Sequence, residues 1–266
     1  MKKNQRDQGE PAVIGLIPAG GQATRLPTLP CSKELYPVGF ERESSAEQPR
    51  PKVVCEYLLE KMRRAGIRNV YIVLRHGKWD IPAYFRDGAR LDLHIAYLMM
   101  NLPFGAPYTL DQAYPFVRHS LVALGFPDIL FSPDDAYEHL LAKQKASEAD
   151  VVLGLFPTDR PDKVDMVDVG ADGKVRQIVI KPQKTSLRWS WGIAVWTPAF
   201  TQYMHEYLAR SKESAAERPE PFVGDIVQAA IQDGLRVDAV QVSETPFLDI
   251  GTADDLVKAV RQFSAR

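Results

Sequence analysis

Two cations that follow a glycine turn are the first side chains in this chain whose types and spacing suggest chemistry. Arg25 and Lys33 come after Gly20 and Gly21, and the apolar run 12–17 that leads into the turn predicts a buried strand. Glycine lets backbone N–H groups approach a phosphate closely because it has no Cβ. Arginine and lysine supply the charge that neutralises a phosphate. The combination predicts a cradle for a polyphosphate.

The turn matches neither of the two common phosphate-binding motifs. It contains no G-x-x-x-x-G-K-[ST] and no G-x-G-x-x-G. Residues 20–26 (GGQATRL) and 32–38 (SKELYPV) instead resemble the signature of the sugar-1-phosphate nucleotidyltransferases, of the glucose-1-phosphate thymidylyltransferase kind. That signature reads G-G-x-G-T-R-L and then S-K-x-L-x-P-V, and Ala23 stands at its third glycine. The resemblance implies that Arg25 and Lys33 are catalytic and hold the triphosphate.

Two aspartates in further signatures imply a metal site. Asp128 lies in LGFPDILF, which resembles the family's L-G-D-N-I-F, and Asp249 lies in FLDIGT, which resembles W-x-D-x-G-T. In that family the two aspartates bind Mg²⁺, so the resemblance implies Mg²⁺ as the cofactor and Asp128 and Asp249 as its ligands. Two hard carboxylates completed by phosphate oxygens and waters suit Mg²⁺.

Four residues of the second half are implied to bind the sugar phosphate. Lys181 stands in I-K-P where the family has E-K-P, and Asp165 opens D-M-V-D where the family has G-V-V. Trp191 and Gly192 fall where the family has a small residue before glycine. The resemblance therefore implies a sugar-phosphate site at Lys181, Asp165, Trp191 and Gly192.

The resemblance also implies a nucleotide pocket behind the glycine turn. Residues 109–113 (TLDQA) resemble the family's G-L-A-Q-A, and Asn101 is the nearest polar residue to an expected upstream glutamine. The implied nucleotide-binding residues are Ala19, Gly20, Gly21, Gln22, Ala23, Thr24, Asn101 and Thr109. Departures from the family's pattern occur at Ala23, Asp165, Ile180, Trp191 and Thr109. These departures lie mostly around the expected sites of the base and the sugar, so they bear on the identity of the substrate more than on the type of reaction.

Composition excludes several classes of protein. The chain has 266 residues, 45% of them hydrophobic, which suffices for one buried core with or without a subdomain. A net charge of −1 argues against a nucleic-acid partner. Cys31 and Cys55 form neither a disulfide framework nor a zinc motif. No apolar run has membrane-spanning or signal-peptide length, so we expect a cytoplasmic protein without a membrane partner.

Strand and helix patterns alternate over the first 156 residues. The predicted strands are 12–17, 69–74, 93–98, 128–131 and 151–156. Helices are predicted from Pro51 to Gly66, over 79–86 and 111–124, and from an N-cap at Ser132, with Pro133 at the first position, to Ser147. The polar segment 41–51 is predicted as an exposed loop, with Pro51 at the first helical position. Alternation of this kind predicts a mainly parallel sheet with helices on both faces.

The second half changes character. It predicts a hairpin over 166–180, a strand over 191–196 and a late strand over 237–242, with helices over 198–210, 223–233 and 253–264. We expect a Rossmann-like three-layer α/β nucleotidyltransferase fold with a mainly parallel central sheet and an antiparallel sugar-binding addition. In this interpretation 1–11 is a disordered tail and 12–266 a single domain. Its nucleotide-binding half is about 12–156 and its lid half about 157–266.

The resemblance implies transfer of a nucleotidyl group from a nucleoside triphosphate, with dTTP or UTP favoured, to a sugar-1-phosphate. The family is often oligomeric, so a homo-oligomer is also an expectation. A catalytically impaired regulatory protein on the same fold stays open as an alternative, because Ala23 and the changed pocket residues motivate it. A dinucleotide-dependent oxidoreductase would need the absent G-x-G-x-x-G.

Overall fold

A computed structural model describes residues 11–21, 26, 28–42, 48–101, 105–212 and 221–263. Its strands are β1 (Val13–Ala19), β2 (Pro37–Glu41), β3 (Arg50–Val53), β4 (Asn69–Arg75), β5 (His94–Met100), β6 (Leu121–Gly125), β7 (Ile129–Leu130), β8 (Val151–Pro157), β9 (Met166–Val169), β10 (Val175–Val179), β11 (Trp189–Trp196), β12 (Val237–Gln241) and β13 (Leu248–Asp249). Its α-helices are α1 (Val54–Arg64), α2 (Asp80–Phe85), α3 (Ala106–Asp111), α4 (Tyr114–Val117), α5 (Ala136–Ser147), α6 (Pro198–Lys212), α7 (Val223–Gln232) and α8 (Ala253–Phe263).

A mainly parallel sheet organises the described residues. Strands β6, β1, β4 and β5 are parallel neighbours in that order. Strand β11 runs antiparallel between β6 and β8, and β12 then pairs in parallel with β8. The hairpin of β9 and β10 joins the sheet through β11. The predicted α/β class with a mainly parallel central sheet is confirmed.

Two apolar clusters cover the two faces of the sheet and produce the three layers. One cluster packs α1, α2 and α5 on the sheet through residues such as Leu59, Phe85 and Leu140. The other packs α3, α6 and α7 on the opposite face through Leu110, Phe200 and Ile226 and related residues. The strands between them are buried on both sides, which is why they read as continuous apolar runs.

The segment around residue 121 corrects the predicted helix 111–124. That interval contains the end of α3, the short α4 and then β6, whose residues Leu121–Leu124 pair in parallel with Val13–Leu16. The run 122–125 is buried between β1 and β11, and pairing with those two strands overrides the local helical pattern. The predicted strand 128–131 shrinks to the two residues of β7, which lie outside the main sheet.

Two helix starts were also predicted wrongly. Pro51 lies within β3, which pairs with β2, and α1 begins only at Val54, where the Glu56 carboxylate accepts from the Val53 N–H at 3.1 Å. The hairpin of β2 and β3 therefore replaces part of the predicted loop 41–51, of which 43–47 lie outside the described residues. Ser132–Pro133 is a cis peptide, and α5 starts at Ala136. Among the described helices, none is long and apolar enough to cross a bilayer.

Candidate active site

The carboxyl ends of the parallel strands collect the side chains that could do chemistry. Gly20 and Gly21 follow β1, Asp128 follows β6, and the segment 76–80 follows β4. Since β6, β1 and β4 are parallel neighbours, these three segments meet at one edge of the sheet. In open α/β sheets this edge is where ligands bind.

A short antiparallel ribbon brings the two predicted metal ligands together. Asp249 pairs with Ile129, and the Ile250 N–H donates to the Asp128 carbonyl oxygen at 2.9 Å. Both carboxylates act electrostatically on the ammonium group of Lys33, which places all three side chains in one locality. Residues far apart in the sequence are thereby assembled at the end of β6.

Lys33 is the cation of this cluster. It opens a 3₁₀ turn (Lys33–Leu35), and its Nζ forms an ion pair with the Asp128 carboxylate. Burial by itself lowers the pKa of the Lys33 ammonium, but Asp128, with smaller contributions from Glu34 and Asp249, raises that pKa above its ordinary value. Lys33 is therefore a fixed positive charge beside two carboxylates.

The Asp128–Asp249 pair has the chemistry of a partial site for a divalent cation. Both ligands are hard carboxylates. Across the described ranges, no group of three or more His, Cys, Asp or Glu side chains is arranged to hold a metal ion. A cation held by Asp128 and Asp249 would thus take its remaining ligands from water or from phosphate oxygens, which fits Mg²⁺ bound with a nucleotide.

A cavity of about 260 Å³ borders this cluster at Asp249 and is lined by residues of the second half of the chain. Its polar lining includes Asp249, Lys181, Arg160, Lys163, Thr252 and Asp255. Arg160 donates to Asp255 at 3.2 Å, and the Thr252 hydroxyl donates to the same carboxylate at 2.7 Å. Burial raises the pKa of Asp255, but these two hydrogen bonds, together with the charges of Arg160 and Lys258, outweigh burial and leave that pKa below its usual value. Sequence reasoning missed Arg160 and Asp255, because no pattern around them marks their pairing.

Lys181, one of the residues that line that cavity, has an unusual backbone conformation. Its φ of 40° lies in the left-handed region, which a non-glycine residue seldom adopts. Its Nζ lies 3.7 Å from the centroid of the Phe222 ring, a cation–π distance. The side chain is exposed, so its ammonium is accessible to an anion in the cavity.

Asp165 is largely buried beside Lys181. Burial raises the pKa of its carboxyl to about 6, Lys181 opposes that rise, and Asp225 adds to it. Its Oδ1 is buried and has no hydrogen-bond partner among the described residues. The first turn of α7 packs against it, because a Cβ at Gly224 would lie 2.5 Å from Oδ2. This carboxyl can thus change its charge near neutral pH.

The structure places Trp191 and Gly192 in the strand behind the cavity. Trp191 is buried against Phe126, with a ring-centroid distance of 6.1 Å, and its Nε1 has no partner among the described residues. Gly192 lies under Phe247, whose ring would be 3.2 Å from a Cβ at that position. Phe247 precedes the Asp249 ribbon, so the absence of a side chain at Gly192 lets that segment pack closely on β11.

The predicted nucleotide pocket is only partly within the described residues. Ala19 and Gly20 are buried, whereas Gly21 and Asn101 are exposed. A Cβ at Gly20 would lie 3.4 Å from Oγ1 of Thr109, so the turn contacts α3. The Thr109 hydroxyl already donates to the Gly105 carbonyl oxygen at 2.9 Å and is buried. Gln22, Ala23, Thr24 and Arg25 lie outside the described residues.

A second, larger cavity lies away from these residues. Its volume is about 480 Å³, and its lining includes Lys52, Lys61, Arg64, Phe131, Asp134 and Phe263. It holds none of the predicted site residues that the structure describes. Size alone therefore does not identify the active site, and the convergence of Lys33, Asp128 and Asp249 is the better guide.

The chain is similar to known nucleotidyltransferases over most of its length. A sequence profile described as "Nucleotidyl transferase" matches residues 14–266. The low-salt glycan biosynthesis nucleotidyltransferase Agl11 of Haloferax volcanii is 24% identical over 249 residues, covering 92% of this chain and 64% of that protein. A glucose-1-phosphate thymidylyltransferase of Streptomyces griseus is 28% identical over 255 residues, with the same two coverages of 92% and 64%.

A uridylyltransferase and a solved structure are further matches. A UTP–glucose-1-phosphate uridylyltransferase of Synechocystis is 24% identical over 230 residues, covering 81% of this chain and 56% of that protein. The chain thus spans less than two thirds of the length of these curated relatives. A crystal structure from Bacillus anthracis, assigned as a glucose-1-phosphate thymidylyltransferase and solved with sucrose, superposes with a TM-score of 0.76. It is 20% identical and covers 94% of this chain and 95% of that chain.

Proposed function

The chain belongs to the nucleotidyl transferase family, and on that premise we propose that it transfers a nucleotidyl group from a nucleoside triphosphate to a sugar-1-phosphate. The products are a nucleotide sugar and pyrophosphate. The observation that carries the proposal is the convergence of Lys33, Asp128 and Asp249, the last of which lines a cavity together with Lys181. Relatives that use thymidine and uridine nucleotides make dTTP and UTP the favoured donors.

The chemistry needs no nucleophile from the protein. An oxygen of the sugar phosphate attacks the α-phosphorus, a new P–O bond forms, and the bond from that phosphorus to the β-phosphate oxygen breaks to release pyrophosphate. Both reactants are anions, so catalysis consists of positioning them and stabilising charge. Two cations fit that requirement: Lys33 beside the two aspartates, and Lys181 in the lining of the cavity.

Each cation has a distinct role in the proposal. Lys33, together with Arg25 of the glycine turn, binds the triphosphate and the charge that develops on pyrophosphate. Lys181 binds the phosphate of the sugar and brings it toward the α-phosphate. Asp128 and Asp249 hold Mg²⁺, which when bound supplies positive charge to the phosphates.

A matrix of reactions tests the proposal. Pyrophosphate release is measured with Mg²⁺ for each pair of nucleoside triphosphate and sugar-1-phosphate, using the wild-type chain and the Asp128→Asn and Asp249→Asn variants. The control is Asp172→Asn, the same substitution on an exposed hairpin turn. We expect turnover with one or a few pairs in the wild type and the control, and its loss in both site variants.

Two other outcomes would contradict parts of the proposal. Nucleotide binding without turnover for any pair would favour a regulatory protein on the same fold. Equal turnover in the wild type and in Asp128→Asn would show that this carboxylate does not take part in the reaction.

A further inference from the structure

The loop that carries Lys33 is held on both sides by the segment that follows β4. On one side, the N–H and Oγ of Ser32 donate to the two carboxylate oxygens of Asp80, at 2.6 and 2.8 Å. On the other side, Nζ of Lys78 donates to Oε1 of Glu34 at 2.5 Å. Lys33 is thus the central residue of three whose two neighbours are tied to one short segment.

The Glu34–Lys78 ion pair is buried. Glu34 is 1% exposed and Lys78 is 5% exposed. Charged residues rarely lose this much contact with water unless they are paired. The second oxygen of Glu34, Oε2, has no hydrogen-bond partner among the described residues. Within that part of the chain, Lys78 therefore supplies the opposite charge that keeps the Glu34 carboxylate in the interior.

This arrangement affects Lys33 because Lys33 is the residue next to Glu34. The Lys33 ammonium pairs with Asp128 in the structure, and the neighbouring carboxylates of Glu34 and Asp249 also act on it electrostatically. If the charge of Lys78 were removed, Glu34 would be a buried anion without compensation. Its strongest available partner would then be the flexible ammonium of Lys33.

We propose that Lys78 is a positioning residue: by neutralising Glu34 in the interior, it keeps the Lys33 ammonium directed at Asp128 and the phosphate site. The importance of Lys78 for catalysis rests on the proposed function. The effect of Lys78 on the position of Lys33 is independent of that function, because it is a property of the folded chain alone.

Three variants test the proposal. Lys78→Met removes the charge and keeps a side chain of similar length. Glu34→Gln/Lys78→Met removes both charges, and so also removes the anion that would attract Lys33. Lys61→Met is the control, because Lys61 is 4% exposed and ion-paired with Asp134 but belongs to the other, larger cavity.

Crystal structures of the variants are the first readout and need no activity. We expect the Lys33 ammonium to pair with Glu34 in Lys78→Met and to return to Asp128 in the double variant. Lys78→Gln, which can still donate a hydrogen bond to Glu34, is the second single variant should Lys78→Met fail to fold. A Lys33–Asp128 pair that persists in the single variant would overturn the proposal.

Kinetics are the second readout. We expect Lys78→Met to lower the rate of pyrophosphate release about 10²-fold, which is typical for the loss of a charge-stabilising group. The KM for sugar-1-phosphate should stay unchanged. The double variant should recover most of that loss, and Lys61→Met should match the wild type. A double variant as slow as the single one would show that the pair has only a structural role. A wild type that releases no pyrophosphate would refute the proposed function, while the crystal structures would still decide the position of Lys33.

Discussion

The backbone N–H of Ile250 donates to the carbonyl oxygen of Asp128 at 2.9 Å, in register with the pairing of β7 and β13. This bond belongs to a ribbon only two residues long on each strand, yet it aligns the chain segments that carry Asp128 and Asp249. Two carboxylates so close together repel each other unless a cation lies between them. Lys33 partly fills that role in the free protein, and a divalent cation would do so with bound nucleotide.

Asp128→Asn and Asp249→Asn should each lower turnover, and their effects should not add. Each removes one negative ligand, and we expect a loss of about 10²–10³-fold in either variant. The double variant should be about as slow as the slower single one, because both ligands serve one ion. Pyrophosphate release as a function of Mg²⁺ concentration measures this, with Asp172→Asn as the control. Losses that multiply in the double variant would indicate independent roles for the two carboxylates.

Lys181→Ala should impair the use of the sugar phosphate more than the use of the triphosphate. Its ammonium lies at the cavity that also contains Asp249, where it can neutralise an incoming phosphate. We expect kcat/KM for sugar-1-phosphate to fall about 10²-fold, with nucleotide affinity nearly unchanged. Steady-state kinetics and titration calorimetry with the nucleotide separate the two effects. The matched control is Lys184→Ala, an exposed lysine on the same loop, and an equal loss in that variant would contradict a specific role for Lys181.

The sequence motifs named candidate members of the site but gave no information on the residues that surround them. The motifs around Lys33, Asp128 and Asp249 are local, and each could be recognised in a short stretch of sequence. The Glu34–Lys78 pair was missed because lysine and glutamate normally indicate a surface. The cost of burying these two charges is offset by their ion pair. The two residues are distant in the chain, so no local sequence pattern indicates that they pair. Their roles in catalysis stay predictions.

In the fold, too, elements set by local sequence patterns were predicted, whereas an element set by pairing with distant strands was not. Most strands and helices followed from apolar periodicity, including the hairpin of β9 and β10. The stretch Leu121–Leu124 was predicted as the end of a helix but belongs to the central strand β6, because its partners β1 and β11 come from distant parts of the chain. Thr109 illustrates the limit within the site, since the sequence could not show that its hydroxyl is already bonded to Gly105.

Asp165 should make the protein less stable as the pH rises from 3.8 through about 6, which is the opposite of the usual effect of a carboxyl group. Burial raises the pKa of this carboxyl from 3.8 to about 6, so the folded state binds the proton more tightly than the unfolded state. Its stabilising contribution is complete below pH 3.8 and is lost as the pH rises through about 6. Asp165→Asn removes this titration. Relative to the wild type, the variant should gain at most about 3 kcal/mol of unfolding free energy between the two ends of that range.

Urea unfolding of the wild type and Asp165→Asn at several pH values between 3.5 and 7.5 measures that gain. The control is Asp172→Asn, which makes the same chemical change at an exposed position of the hairpin turn. A difference between Asp165→Asn and the wild type that stays constant across the range would show that the carboxyl is not perturbed by burial.

Gly125→Ala should destabilise the fold at the strand that leads to Asp128. A Cβ at this position would lie 2.5 Å from Leu58 Cδ1 and 2.5 Å from the Tyr137 hydroxyl oxygen, and both side chains are almost fully buried. Neither can move away without disturbing the packing of α1 or α5 on the sheet, so we expect a loss of about 1–3 kcal/mol. Thermal unfolding measures it as a decrease in Tm. Gly21→Ala is the control for stability, because a Cβ there meets no described atom within 4 Å, and an equal decrease in both variants would contradict the packing argument.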